Sequence, residues 1–225
     1  MIQQFDRFKD APWFPQNSEP VMIGGAGGIG SWLSFFLTRI GFTPYIYDFD
    51  IIEAHNMGGQ LFREKDIGKH KVIAVSEIAR EFCGSEINTF IQKVDQTTTP
   101  HHFMFSAFDN MKARKDLFEV WKKSIPGCPV APIFIDGRLE MEQFQIFCVT
   151  PDRIADYEAT LFDDSEVDDA PCTMKQSSHT AAMIATMMTG FFTNHIANIY
   201  ERQNGRFIPF YYEFYVPLVL TNITE

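Results

Sequence analysis

Cysteine is scarce and scattered in this sequence, and that excludes two kinds of protein. Its four cysteines, Cys83, Cys128, Cys148 and Cys172, form no C-x-x-C pair. Structural zinc sites usually contain closely spaced cysteines, and secreted disulfide frameworks need a dense, even set of them. We therefore expect no zinc, no disulfide framework and a reducing compartment.

Long apolar runs are also missing. No segment approaches the roughly 18 apolar residues of a membrane-spanning helix. The first residues, MIQQFDRFKDAPWFPQ, lack the apolar core of a signal peptide. The sequence thus predicts a cytoplasmic protein with no membrane partner.

Basic residues are outnumbered by acidic ones, 19 to 29, which gives a formal net charge of −10. A negative protein binds nucleic acid or anionic lipid poorly, so we expect no nucleic-acid partner. A nucleotide ligand stays possible, because backbone N–H groups and one or two local cations are enough to hold phosphates.

The composition is otherwise that of a globular chain, with one unusual abundance. The 225 residues suffice for one α/β domain with a sizeable core. Phenylalanine occurs 23 times, which indicates either an aromatic core or an aromatic partner surface.

Predicted strands and helices alternate up to about residue 136. Strands are predicted at 21–23, 44–47, 87–94, 103–108 and 133–135, and helices in SWLSFFLTRIG, at 66–81 and in NMKARKDLFEVWKKS. Later, EMEQFQIFCV and RFIPFYYEFYV resemble antiparallel strands, with a helix over 179–200 between them. We predict an α/β fold: a Rossmann-like, doubly wound, mostly parallel sheet with antiparallel strands added in the C-terminal third.

The domain organisation is predicted to be simple. Residues 1–225 form a single domain, in which residues 1–19, with Pro12 and Pro15, are an N-terminal arm. Residues 151–178 are acidic and poor in periodicity, which is typical of a mobile crossover loop or of solvated disorder.

The stretch VMIGGAGGIG predicts a nucleotide site. Gly25, Gly27 and Gly30 fit G-x-G-x-x-G, which places phosphate at the N-terminus of a helix that starts near Gly28. Asp48, at the end of the next strand, is placed to accept hydrogen bonds from ribose hydroxyls. To this point an NAD(P)- or FAD-dependent oxidoreductase explains the pattern equally well.

Three later segments favour a different chemistry. DFDIIEAHNMGGQLF carries Asp48, Asp50, Asn56 and Gln60; DIGKHKV carries Lys71; SAFDNMKAR carries Asp109, Asn110 and Arg114. Their order resembles that of the ThiF/MoeB-type adenylyltransferases, bacterial relatives of ubiquitin-activating enzymes, over residues 21–138. The resemblance implies that ATP adenylates the C-terminal carboxylate of a ubiquitin-like or sulfur-carrier protein or a peptide, with release of pyrophosphate.

The same resemblance implies roles for these side chains. Asp48 would bind ribose, Lys71 phosphate, and Asp109 Mg²⁺ or the metal-bound triphosphate. Asn56 and Gln60 would contact phosphates, and Asp50 and Asn110 would complete the nucleotide site. Each of these residues also has a purely structural alternative. Lys71 could be a solvated helix lysine, and Asp109 could be a helix N-cap. Asn56 and Gln60 could be turn residues.

Two departures from the family pattern bear on turnover. Gly59 stands where the family usually has an arginine that faces phosphate. Arg63 could reach back instead, a partner subunit could supply a cation, or the protein could bind nucleotide and adenylate poorly. Relatives carry an N-terminal arginine that enters the other subunit's site, so the resemblance implies a homodimer in which Arg7 has that role; an ordinary surface arginine is the alternative.

Cys172, in APCTMKQSS, resembles the crossover cysteine that accepts the acyl group as a thioester in ubiquitin-activating enzymes. The acidic residues upstream oppose its ionisation, and a small buried residue is the alternative.

The leading interpretation of the whole sequence is an adenylyltransferase. A non-catalytic nucleotide-binding protein of the same fold and a nicotinamide or flavin oxidoreductase are the alternatives.

Overall fold

Eight strands and five α-helices lie within the part of the chain that the computed structural model describes, residues 3–15, 20–140, 143–163, 177–201, 205–215 and 220–224. The strands are β1 (Val21–Gly24), β2 (Pro44–Tyr47), β3 (Asn88–Phe90), β4 (Phe103–Ser106), β5 (Ile133–Glu140), β6 (Gln143–Val149), β7 (Tyr211–Tyr215) and β8 (Leu220–Thr224). The helices are α1 (Gly28–Arg39), α2 (Lys71–Cys83), α3 (Met111–Lys122), α4 (Ile154–Glu158) and α5 (Ser178–Tyr200).

All eight strands pair in one mixed sheet, in the order β3-β2-β1-β4-β5-β6-β7-β8. The first five strands of that order run parallel, and β6, β7 and β8 are added antiparallel to β5 and to one another. This confirms the predicted fold class. The register aligns Tyr47, Gly24, Ser106 and Asp136 in one row across the carboxyl ends of β2, β1, β4 and β5.

Helices cover both faces of the sheet. Helices α1, α2 and α5 share one core cluster with the sheet, and α3 and Tyr157 of α4 belong to the other. Aromatic rings fill both: Phe192 of α5 contacts Phe103 and Phe105, and Phe118 of α3 contacts Phe134. In these clusters the abundant phenylalanine serves the core.

Several predicted boundaries are wrong, among them the following three. The helix predicted at 66–81 begins at Lys71, because Asp66 is fully buried in a separate 3-10 turn where it accepts hydrogen bonds from Arg63 and Lys69. The strand predicted at 87–94 is only Asn88–Phe90, at the sheet edge. The strand predicted at 133–135 continues to Glu140 because β6 pairs with its second half.

The loop predicted over 151–178 is wrong in its first part. Pro151–Arg153 form a 3-10 helix and α4 follows directly, anchored by the buried ring of Tyr157. Residues 164–176 lie outside the described residues, and the prediction for them stays open. No helix among the described residues is long and apolar enough to cross a membrane.

The arm packs at the amino edge of the sheet. Rings of Phe5, Phe8, Trp13 and Phe14 contact one another, and Phe14 lies against Gly41, which connects α1 to β2. Helix α1 returns the chain from the carboxyl edge of the sheet to the start of β2. Gly41 therefore lies at the edge opposite residues 24–30, which we call the glycine loop.

Gly30 gives a test of how tightly α1 packs against that loop. A Cβ at Gly30 would collide with the carbonyl oxygen of Gly25, whereas a Cβ at Gly190, on the exposed side of α5, meets nothing within 4 Å. We expect Gly30→Ala to lower the free energy of unfolding by about 1–3 kcal/mol. Gly190→Ala should raise it by about 0.5–1 kcal/mol, because alanine stiffens the unfolded chain.

Chemical denaturation of both variants measures the difference. Equal effects of the two alanines would show that the approach of Gly30 to the Gly25 carbonyl is not tight.

Candidate functional site

The glycine loop leaves open space at the start of α1. Gly25 has a φ of 94° and donates its N–H to Tyr47 O at 2.9 Å, so the loop turns sharply beside β2. Gly27 is the N-cap of α1, and nothing lies within 4 Å of the position that a Cβ would take there. Gly28, the first residue of α1, is buried. The loop therefore has room for an anionic group at a helix N-terminus, where the helix dipole favours it.

Asp48 joins this loop to the end of β2. Its carboxylate accepts hydrogen bonds from Ala26 N–H and Asp50 N–H, both at 2.7 Å. Burial raises the pKa of Asp48, although these two N–H groups and Lys71 act in the opposite direction. Each carboxylate oxygen keeps a second lone pair, so the side chain can still accept hydrogen bonds from a ligand.

Lys71 is held beside that carboxylate by Asp50. Its Nζ lies 2.8 Å from Asp50 Oδ2, and its N–H donates to Asp50 O at 3.0 Å. The Lys71 side chain is only 11% exposed. The alternative of a solvated helix lysine is therefore wrong, and the first residue of α2 aims a cation at the site.

Residues Ala54–Gly58 form a 3-10 turn that carries two of the predicted polar residues. Asn56 is buried and its Oδ1 accepts Glu53 N–H at 2.8 Å, so this oxygen has the structural role foreseen as the alternative. Gln60 Oε1 is buried with no hydrogen-bond partner among the described residues, as expected of a group whose partner is a ligand. Ser178, at the start of α5, donates to Gly58 O at 2.6 Å and fixes the turn.

Arg63 does not replace the missing arginine. Its guanidinium pairs with Asp66, Glu77 and Glu81, and the hydrogen bond to Asp66 is the main reason why its pKa is raised. Three carboxylates hold it against α2, so the idea that it reaches back to phosphate is wrong for this structure. Gly59 itself has a φ of −124°, which any residue adopts, so the backbone does not require glycine there.

Asp109 and Asn110 follow β4 at the same carboxyl edge. Asn110, not Asp109, is the N-cap of α3: its Oδ1 accepts Ala113 N–H at 2.8 Å. Asp109 is exposed and accepts a hydrogen bond from Asn110 Nδ2 at 3.3 Å. A Cβ on Gly25 would come within 2.8 Å of Ala107 O, so the glycine loop and the segment that carries Asp109 lie in direct contact.

The sequence predictions missed a buried ion network at the end of β5. Asp136 is fully buried and accepts hydrogen bonds from Arg114, from Arg138 Nε at 2.8 Å and from Tyr157 OH at 3.0 Å. Arg114 also donates to the carbonyl of Phe108 and, at 3.0 Å, to that of Gly137. The charged pair in DGR, at the end of an apolar strand, was the signal that could have found it.

Two predicted residues are not brought to the site. Arg7 is exposed on the arm, at the amino edge, and β2 alone separates the two edges by about 13 Å at roughly 3.3 Å per residue. Cys172 lies outside the described residues. Of the other cysteines, Cys83 and Cys148 are buried, and burial raises the pKa of both thiols, which disfavours the reactive thiolate.

The donor set fits ATP with Mg²⁺. Among the described residues no group of three His, Cys, Asp or Glu side chains could hold a metal by itself. Mg²⁺ needs no such cage, since it is usually bound by one or two carboxylates together with substrate phosphates. The open space at Gly27 is the feature that a bound triphosphate would fill, whereas the buried Gln60 oxygen is an acceptor and needs a donor, such as a hydroxyl group or a Mg²⁺-bound water.

The site described so far combines a Rossmann-type glycine loop with the carboxylate of Asp48, with Lys71 and with Asp109, an arrangement typical of nucleotide-binding sites. The model of the ThiF family matches residues 16–215, and the chain belongs to that family.

Two curated relatives are ubiquitin-like-protein activating enzymes by name. The NEDD8-activating enzyme E1 catalytic subunit of Saccharomyces cerevisiae is 29% identical over 153 residues, 63% of this chain and 50% of that protein. Ubiquitin-like modifier-activating enzyme 5 of Dictyostelium discoideum is 33% identical over 100 residues, 44% of this chain and 24% of that protein. The chain thus spans half or less of these relatives.

Solved structures share the fold. PaaA superposes with a TM-score of 0.68 at 18% identity, covering 95% of this chain and 74% of that one. E. coli MccB in the presence of ATP superposes with a TM-score of 0.69 at 14% identity, covering 99% of this chain and 65% of that one.

The buried network predicts a specific acid dependence of stability. Burial raises the pKa of Asp136, but Arg114 and Arg138 outweigh it and hold the pKa below the ordinary range. Its stabilising contribution is therefore present above its unfolded-state pKa, near pH 4, and is lost as the pH falls through the lower folded-state pKa. Asp136→Asn should cost about 3–5 kcal/mol at pH 7 and progressively less below pH 4.

Denaturation of the wild type and the variant at several pH values measures this. The control is Asp116→Asn, which removes an ion pair with Lys112 on the surface of α3 and should cost less than about 1 kcal/mol. A cost for Asp136→Asn that stays constant from pH 7 to pH 3 would contradict the prediction.

Proposed function

We propose that this chain is an ATP-dependent adenylyltransferase. It would activate the C-terminal carboxylate of a ubiquitin-like or sulfur-carrier protein or a peptide as acyl-AMP. The observation that carries the proposal is the convergence of the glycine loop, Asp48, the Asp50–Lys71 pair and Asp109 at one carboxyl edge of the sheet. In open α/β sheets, this edge is where ligands bind.

The comparisons supply the reaction class and the kind of substrate. Both curated relatives named above are activating enzymes for ubiquitin-like proteins. MccB structures have been solved with ATP, with the peptide MccA and with AMPCPP together with MccA. These complexes agree with a reaction that uses two substrates, ATP and a molecule with a free carboxylate.

The residues of this chain then divide the work. Asp48 accepts hydrogen bonds from the ribose hydroxyls, and the N–H groups at the start of α1 bind phosphate. Lys71 exchanges Asp50 for a phosphate oxygen, which its flexible four-carbon side chain allows. Mg²⁺ held near Asp109 would neutralise phosphate charge, so that an anionic carboxylate can approach. Gln60 would contact the phosphates through its side-chain N–H₂ group, and its buried oxygen, which lacks a partner among the described residues, would accept a hydrogen bond from a Mg²⁺-bound water.

The chain alone is short of positive charge for this reaction. Among the described residues, Lys71 is the cation beside Asp48 and Asp50, and it is already paired with Asp50, while Arg63 is held by three carboxylates. The Gly59 substitution removes a cation that the family usually has. We propose that a homodimer completes the site, with Arg7 of one subunit serving the other, and that acyl transfer to Cys172 follows adenylation.

The same charge shortage favours one alternative function, a nucleotide-binding protein that has lost turnover. It retains the glycine loop and Asp48, and it needs no added cation. The oxidoreductase alternative leaves the Asp50–Lys71 pair and Asp109 without a role, and we do not propose it.

Asp109→Ala separates these possibilities. We expect ATP–pyrophosphate exchange, measured with candidate carrier peptides that end in a free carboxylate, to fall at least about 100-fold, because phosphate charge is no longer neutralised in the transition state. Weak binding of ATP should remain. The control variant, Asp116→Ala on α3, the helix that follows Asp109, should exchange at the wild-type rate.

Unchanged exchange in Asp109→Ala would show that the site assignment is wrong. A wild-type protein that binds ATP and exchanges no pyrophosphate would support the non-catalytic alternative. Tight NADH binding without competition by ATP would contradict the proposed function altogether.

Subunit complementation tests the role of Arg7. If Arg7 acts across a dimer, mixing inactive Arg7→Ala with inactive Asp109→Ala chains creates heterodimers with one intact site. Random re-pairing should then recover about a quarter of wild-type exchange, since half the dimers are mixed and one of their two sites is intact. No recovery, or full activity of Arg7→Ala alone, would refute the role.

A further inference from the structure

The buried network at the end of β5 reaches the segment that carries Asp109. Arg114 lies on α3, yet its guanidinium spans from Asp136 to the carbonyl of Phe108, the residue just before Asp109. The ring of Phe108 packs on the other side against the backbone of β1, where a Cβ on Gly24 would come within 2.6 Å of it. The turn at Asp109 is therefore held between the glycine strand and a buried arginine.

A second branch of the network reaches α4. Arg138 donates to Thr160 O at 3.2 Å and to Thr160 Oγ1 at 3.0 Å, and its guanidinium lies 4.4 Å from the centre of the Phe147 ring. Asp136 thus joins the turn at Asp109 to the residues just after α4.

Stability alone does not account for this arrangement. The buried pair of Arg114 and Asp136 lies together with the guanidinium of Arg138, whose side chain is 14% exposed, so two positive charges share one carboxylate near the interior. Desolvation of three charges offsets most of their mutual attraction, and apolar residues of similar volume are often as stabilising or more so. A planar guanidinium, in contrast, fixes the direction of several acceptors at once, and apolar side chains cannot do that.

We propose that Asp136 and Arg114 are positioning residues that orient Asp109 toward the metal-bound triphosphate. This inference rests on the proposed function. Asp136 fixes the Arg114 guanidinium, Arg114 fixes the Phe108 carbonyl, and the carboxylate of Asp109 then points into the site beside the glycine loop. Neither Asp136 nor Arg114 touches the substrate in this account.

The test removes the network without leaving a buried charge. The triple variant Arg114→Met, Asp136→Leu, Arg138→Met exchanges all three ions for apolar side chains. Binding of α,β-methylene ATP, which cannot be cleaved at the adenylation position, is measured by calorimetry with Mg²⁺ and with EDTA. The wild type should bind at least about tenfold more tightly with Mg²⁺.

In the triple variant we expect the ratio of the two affinities to fall to within about twofold of one, while the EDTA affinity stays within about threefold of wild type. Asp109→Ala should give the same pattern. Arg80→Met, which removes an exposed arginine from α2, is the control and should behave as wild type. Thermal unfolding should show the triple variant folded, with a Tm close to that of the wild type.

A folded triple variant that keeps the full Mg²⁺ ratio would overturn the inference. A triple variant that does not fold would also overturn it, because the network would then be required for folding. A wild type that binds the analogue equally well with and without Mg²⁺ would overturn the inference and leave nucleotide binding intact. A wild type that does not bind the analogue at all would overturn the proposed function as well.

Discussion

The close backbone approach between the glycine loop and the segment after β4 is the constraint on which the site depends. Side chains at Gly24 and Gly25 would meet Phe108 and the carbonyl of Ala107 within 3 Å, so neither strand end has room for a Cβ. This contact brings the two halves of the candidate site together: the glycine loop and Asp48 on the β1 and β2 side, and Asp109 on the β4 side. The parallel register then places Asp136 in the same row, one strand further on.

Charge at this edge is distributed in an unusual way. The cations near the loop are already paired within the chain: Lys71 with Asp50, and Arg114 with Asp136. A triphosphate therefore has to displace a carboxylate, as at Lys71, or bring its own cation as Mg²⁺. Under the proposed function, glycine at position 59 would make turnover depend more on charges from outside one chain than an arginine at that position would.

The fold was predictable because its elements are determined by short-range residue patterns. Alternating strands and helices, the glycine turn and the acid after β2 are short-range signals, and the element order follows from them. The boundaries that were wrong depended on side-chain and strand partners that the residue pattern does not identify. The residue pattern predicts Asp66 to be helical, and its hydrogen bonds to Arg63 and Lys69 show why it is not. Strand β5 extends to Glu140 only because β6 pairs with it. Among site residues, Lys71 and Asp109 followed from motif order.

The part of the site that the sequence could not reveal is the part made by tertiary contact. Arg114 was visible within a motif, but its link to the carbonyl before Asp109 requires α3 to fold back over β5. Asp136 and Arg138 read as ordinary residues at a strand end. A buried ion network gives no periodic signal, and its formation depends on several elements at once. Burial of two arginines around one aspartate, at the edge where phosphate chemistry is proposed, is more costly than an apolar core. Under our proposal, the orientation that the network gives to the turn at Asp109 offsets that cost.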